Sequence, residues 1–90
     1  MIADNAVVTA AWDDVLERDD QVLVLAGNDV TLLSPLASAA ALACRQGISV
    51  ARLTAVLEER FGVPDGGDSS SAVREVVAAL QERGVVSISE

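Results

Sequence analysis

The stretch from Gln21 to Cys44, QVLVLAGNDVTLLSPLASAAALAC, limits what this chain can fold into more than any other. It orders strand, tight turn, strand and helix with almost no slack between them. Val22, Leu23, Val24 and Leu25 form an apolar run of strand length, and Gly27-Asn28-Asp29 supplies turn residues that tolerate positive φ. Val30, Thr31, Leu32 and Leu33 then suit a pleated surface. Ser34 is placed to cap a helix, and Pro35 falls at the first helical position, where a missing N–H costs nothing. This order puts the Asp29–Leu33 strand at a sheet edge, with backbone groups free to pair with another segment.

The flanking segments are read from this centre outwards. Residues 1–11 carry little pattern and are expected to be a loose arm. Trp12–Glu17, WDDVLE, suits either a helical turn or a short strand. The strand is preferred, because Arg18-Asp19-Asp20 then connects it to Val22–Ala26 in a three-stranded meander. Downstream, a first helix over about 35–46 should stop at Gly47, and its few polar positions (Ser38, Arg45, Gln46) suggest a buried, central helix. A second helix, capped by Ser49 and ending before Gly62, aligns Val50, Leu53, Leu57 and Phe61 on one stripe. Val63–Ser70 reads as a mobile loop, and Ser70 or Ser71 is placed to cap a third helix that ends at Gly84. Val85–Ile88 is then a short strand or an ordered tail. The expected fold class is α+β, with an N-terminal three-stranded antiparallel sheet followed by three helices.

Two elements carry more apolar surface than a small core needs. On the third helix Ala79, Ala72, Val76, Leu80, Val73 and Val77 cover an arc of about 160°, wider than the ~100° stripe of an ordinary surface helix. Part of that arc must face the core, and the remainder is free to line a groove. The strand Val22–Ala26 is apolar throughout, whereas a sheet covered on one side alternates. The N-terminal arm, a partner or a second copy of the chain is needed to cover its other face.

Composition narrows the chemistry. The net charge of −8, with six arginines and no lysine or histidine, argues against nucleic acid, whose binders need cations to neutralise phosphates. It equally argues against an anionic membrane surface, and no apolar run approaches the ~20 residues of a membrane helix. The start MIADNAVV has neither a basic segment nor a long apolar one, so no signal peptide is expected. Cys44 is the only cysteine, which fits a reduced, cytoplasmic setting and the role of a small buried hydrophobe. Adjacent carboxylates (Asp13-Asp14, Asp19-Asp20, Glu58-Glu59) should diverge and stay solvated. Asp65-Gly66-Gly67-Asp68 has too few oxygen ligands for a Ca²⁺ loop, so no metal and no cofactor is expected. No poised nucleophile or base stands out either, and the expectation is a protein that is not an enzyme.

The run VLVLAGNDVTLLSPLASAAALACRQGISVARLTAVLEERFGV, followed by AVREVVAALQERGVV, resembles the PqqD family, the small domains called RiPP recognition elements. The likeness covers residues 12–86 and lies in the strand pair, the small-residue helix ending at Gly47, the Phe61-Gly62 helix end and the close at Gly84-Val85. Ser34 stands where members often carry Asn, and Gln46 where they often carry an acidic residue; neither position is expected in the binding groove. The resemblance implies a winged-helix-like domain, residues 12–90, that binds the leader segment of a ribosomally made precursor peptide. It further implies that the leader is presented to a peptide-modifying enzyme or leader protease. In this family the leader adds as a strand beside the third strand and enters a cleft against the third helix. That correspondence designates Asp29, Val30, Thr31, Leu32 and Leu33 on the strand, and Val73, Val76, Val77 and Leu80 on the helix.

Two other functions compete. A winged-helix DNA-binding regulator shares the architecture but needs a basic recognition helix, and the third helix offers only Arg74 and Arg83 beside Glu75 and Glu82. A plain dimerisation or adaptor domain would use the apolar strand faces to form a homodimer.

Overall fold

Burial along the Gln21–Ala26 strand alternates residue by residue, as the period of a pleated strand requires: Val22 and Val24 are buried, Gln21, Leu23 and Leu25 exposed. The structure is a computed structural model that describes residues 2–19, 21–63 and 68–89. The elements in chain order are β1 (Val7–Ala10), β2 (Asp14–Arg18), β3 (Gln21–Ala26), β4 (Asp29–Leu33), α1 (Pro35–Ala43), β5 (Ile48–Ser49), α2 (Val50–Phe61), α3 (Ser69–Glu82) and β6 (Val86–Ser89). The fold is α+β, with three helices and two antiparallel three-stranded sheets among the described residues.

The expected meander is present as β2-β3-β4, with Leu16 opposite Leu23 and Leu23 opposite Leu32. Gly27, at φ 62°, takes the first position of a two-residue turn closed by the Ala26–Asp29 pair, and Asp29 belongs to the strand rather than to the turn. Asp13 steadies this hairpin: its amide donates to Leu25 O (2.8 Å), and its carboxylate accepts from Gly27 N–H (2.8 Å).

The N-terminal residues are not loose as expected. β1 is the central strand of a second sheet, ordered β5-β1-β6, and Val8 is buried in the core. Residues before it lie across the start of α2, where Val50 N–H donates to Ala6 O and Ala51 N–H to Asp4 O, both at 2.9 Å. Arg74 of α3 holds the same segment through Ile2 O (2.8 Å) and an ion pair with Asp4. Val86–Ser89 pairs with β1, so the short-strand reading of the C-terminal residues is the one observed.

Helix α1 stops at Ala43 rather than near Gln46. The Cys44 carbonyl is taken by Ala10 N–H (2.9 Å) and Gly47 N–H (3.1 Å), which turns the chain towards β1 before another helical bond can form. Buried Ser38, Ala39, Ala40, Ala41 and Cys44 make α1 the central helix, as its sequence suggests. Ser34 and Ser49 cap α1 and α2, accepting from Ala37 N–H and Arg52 N–H (3.2 Å each). Asp68, not Ser70 or Ser71, caps α3, accepting from Ser70 N–H at 3.0 Å. Of the proposed loop, residues 64–67 lie outside the described residues, and with them most of the Asp65–Asp68 segment.

The core joins Val8, Val22, Val24 and Leu33 to the helix faces of Leu53, Leu57, Val73, Val77 and Leu80. Phe61 departs from its expected place on the core stripe. It is the last residue of α2 and stays 47% exposed, with Arg60 Cζ 5.8 Å from its ring centroid.

Candidate functional site

Among the described residues, strand β4 pairs on one side only, with β3. Because the two-residue turn makes Ala26–Asp29 a hydrogen-bonded pair, ladder alternation points the amides and carbonyls of Thr31 and Leu33 at β3. Those of Val30 and Leu32 point to the open edge. Strand β2 has an open edge too, but it carries Asp14, Glu17 and Arg18, charges of the kind that discourage strand addition. From Val30 to Leu33 the β4 edge carries no charge and no proline. It is the receptive border of this sheet.

That border opens onto a groove of about 600 Å³ between β4, the start of α1 and α3. Thr31, Leu32 and Leu33 form one wall, Val76 and Leu80 the other, as the sequence placed them. The wide apolar arc of α3 divides in two. Val73, Val77 and Leu80 turn to the core, while Ala72, Val76 and Ala79 turn to the groove, with Leu80 at the boundary serving both. Val77, expected on the groove wall, is 0% exposed and does not line it; Val73 is likewise buried. Asp29 and Val30 lie nearer the turn and do not line it either, and the Val30 side chain points to the other face of the sheet.

Ser34, Leu36, Ala37, Ala72, Glu75, Ala79 and Arg83 also line the groove and are not among the residues designated from the sequence. The α3 members had a legible signal, since 72, 75, 76, 79 and 83 recur at helical spacing on one side of the apolar arc. Ser34, expected outside the groove, lies on its wall, because it sits between β4 and α1. Glu75 and Arg83 give that wall one charge of each sign.

No family model, curated protein or solved structure matches the chain. The site therefore stands on its geometry.

The opposite face of the β2-β3-β4 sheet is open as well. Leu16 and Leu32 are 59% exposed and Val30 62%, and Leu23 and Leu25 lie between them in register. Among the described residues neither the N-terminal segment nor a helix covers this patch, so the N-terminal arm is not the cover that the sequence allowed for β3. Contiguous apolar surface beyond a few hundred Å² is uncommon on a monomer and marks interaction surfaces.

Cys44 is buried in α1, its thiol donates to Ala40 O (3.0 Å), and burial pushes its pKa from 9.0 up to about 11. A thiol held protonated in this way is a poor nucleophile. No three His, Cys, Asp or Glu side chains cluster as a metal site among the described residues. No described helix is long and apolar enough to cross a membrane.

Proposed function

We propose that this chain is a non-catalytic, cytoplasmic peptide-capture module of the winged-helix-like, RiPP-recognition-element kind. It takes the leader segment of a ribosomally synthesised precursor as an added strand and presents it to a maturation enzyme. One observation carries the reading: the uncharged open edge of β4 runs beside a groove walled by the spare apolar side of α3. An extended segment paired there alternates its side chains. One set enters the groove against Val76 and Ala79, and the other extends the Val30–Leu32 face.

The energetics set what the peptide must bring. Val30 and Leu32 offer four main-chain groups, at about 1 kcal/mol net each. A sub-micromolar complex needs more than about 8 kcal/mol after ordering costs. At roughly 1.5–3 kcal/mol per fully buried apolar side chain, at least two or three leader residues must be buried as well.

The test is binding of a fluorescent leader peptide, taken from a precursor gene adjacent to the gene for this chain, to wild type and to Leu32→Pro and Ala79→Asp. Both substitutions lie at exposed positions, so the fold should survive while affinity falls at least tenfold. Folded variants that bind like wild type would refute the groove.

One observation favours a second reading, self-association through the open sheet face of Leu16, Leu23, Leu25, Val30 and Leu32. Sedimentation of wild type beside Leu16→Lys separates it from peptide capture, because Leu16 does not line the groove. The DNA-binding alternative is weakened by Arg74, whose guanidinium is engaged by Asp4 and Ile2 O.

A further inference from the structure

Glu75 and Arg83 are the charged residues on the wall of the groove, and both side chains are exposed. Neither is ion-paired among the described residues, whose salt bridges join Arg45 to Glu17 and Arg74 to Asp4. They stand eight positions apart, on α3 and its C-cap. At a rise of ~1.5 Å per residue that is about 12 Å along the helix axis. Val76 and Ala79 line the groove between them.

The facing strand fixes which charge stands at which end. A Cβ on Gly84, the residue after Arg83, would lie 3.9 Å from Ala26 Cβ, and Ala26 pairs with Asp29 at the start of β4. Leu36, just past the end of β4, shares a hollow with Ser69, Ala72 and Val73 at the start of α3. β4 and α3 therefore run in opposite directions along the groove, with Arg83 beside the start of β4 and Glu75 towards its end. A strand added to β4 alternates its faces and advances ~3.3 Å per residue, so same-face side chains four residues apart are separated by about 13 Å. That interval matches the two charges. An antiparallel strand makes the stronger ladder and enters from the Leu33 end, meeting Glu75 before Arg83.

We propose that Glu75 and Arg83 read a charge order on the captured segment: a lysine or arginine at Glu75, an apolar residue two positions later against Val76 and Ala79, and an aspartate or glutamate two positions further at Arg83. This rests on the proposed peptide capture and adds what selects one segment over another. A single exposed ion pair contributes little. Reversing the order, however, replaces two attractions with two like-charge contacts, so the groove rejects the wrong segment as well as accepting the right one.

The test uses two terminally blocked peptides of threonine with a central leucine. One carries lysine two residues before the leucine and aspartate two residues after it; the other carries them exchanged. Their net charges are equal, so the −8 charge of the chain acts on both alike. Each is titrated into the full chain and followed by amide shifts at Thr31, Leu32 and Val76. Wild type should bind the lysine-first peptide about fivefold more tightly at low salt, the worth of two exposed ion pairs. The preference should vanish at about 1 M salt. The double variant Glu75→Lys, Arg83→Glu should prefer the aspartate-first peptide. Equal affinities in wild type, the opposite preference, or an unchanged preference in the double variant overturns the charge reading. If both peptides shift these amides with equal affinity, peptide capture stands without it; if neither does, both fall.

Discussion

Ser38→Ala, a single-atom deletion in α1, should loosen the β3–β4 hairpin. The Ser38 hydroxyl accepts from Val22 N–H (3.0 Å) and donates to Leu33 O (3.3 Å), and it is buried at 3% exposure. Val22 and Leu33 are the pair at the α1 end of the β3–β4 ladder, so one side chain of the central helix fixes both strands. Removing it deletes two hydrogen bonds at about 1 kcal/mol each and leaves buried backbone groups short of partners, for a total of roughly 2–4 kcal/mol. Against the roughly 5–13 kcal/mol expected of a domain this size, that is a third of the stability. Urea unfolding should show a lower midpoint at unchanged slope, with a Tm about 10–20 °C lower. The Val22 amide should also exchange faster with solvent. A loss below about 0.5 kcal/mol would show that Val22 and Leu33 need no help from α1, and would refute the claim that the helix sets the β4 edge.

Further tests follow from the same geometry. Thr31→Pro should cost about 1–3 kcal/mol, because the Thr31 amide faces β3, whereas Leu32→Pro should unfold within about 1 kcal/mol of wild type; thermal melts decide. Gly47 sits at φ 87° with Thr9 Oγ1 and Val7 Cγ1 each 3.4 Å from an added Cβ, so Gly47→Ala should lose at least about 1–2 kcal/mol. Gly27→Ala, at φ 62° near the left-handed helical minimum, should lose less than Gly47→Ala at φ 87°, because the 3.4 Å approaches at Gly47 are ordinary contacts and backbone conformation sets the ranking; equal losses would discount that ranking. Cys44 should resist iodoacetamide at pH 8. Its folded pKa lies above its unfolded value, so the stabilising protonation is fully present below pH 9.0 and is lost as pH rises through about 11. Roughly 2–3 kcal/mol is at stake by the conversion of about 1.4 per pH unit. Urea midpoints across that range should show no such fall in Cys44→Ala.

What the sequence made legible was local. The hairpin, the Ser34 and Ser49 caps and the helix end at Gly62 each depend on a few adjacent residues, and each lies close to where it is expected, whereas α1 ends early because a distant partner, Ala10 N–H, takes the Cys44 carbonyl. The β1 strand was missed for the opposite reason. Four residues cannot display a convincing period, and its partner β6 lies almost the whole chain away, so nothing near Val7 announces the pairing. The N-cap of α3 was misplaced because Asp68 and the serines after it are all competent caps, and composition cannot rank them. Phe61 was misassigned because periodicity fixes direction but not depth. At the last turn of α2 the core has ended, and a side chain aimed the right way meets the rim of a pocket instead.

The same limit explains the candidate groove and shows what kind of evidence locates it. An excess of apolar surface was readable on α3 and on β3, but periodicity alone could not say which residues of the excess were spare. Packing resolves this by phase. On α3 the residues about 100° round from the groove, Val73 and Val77, are spent on the core, and those left over are small: Ala72 and Ala79 beside Val76. Small residues on a spare face hollow the surface rather than fill it. On β3 the spare face instead holds full-sized Leu23 and Leu25, which make a broad apolar surface with Leu16, Val30 and Leu32, indented by a smaller hollow of about 130 Å³. A deep groove beside an unpaired strand suits a peptide in extended form, whereas a broad apolar sheet face suits another folded surface. The two faces therefore answer to different partners, and a substitution confined to one should leave the other's partner bound.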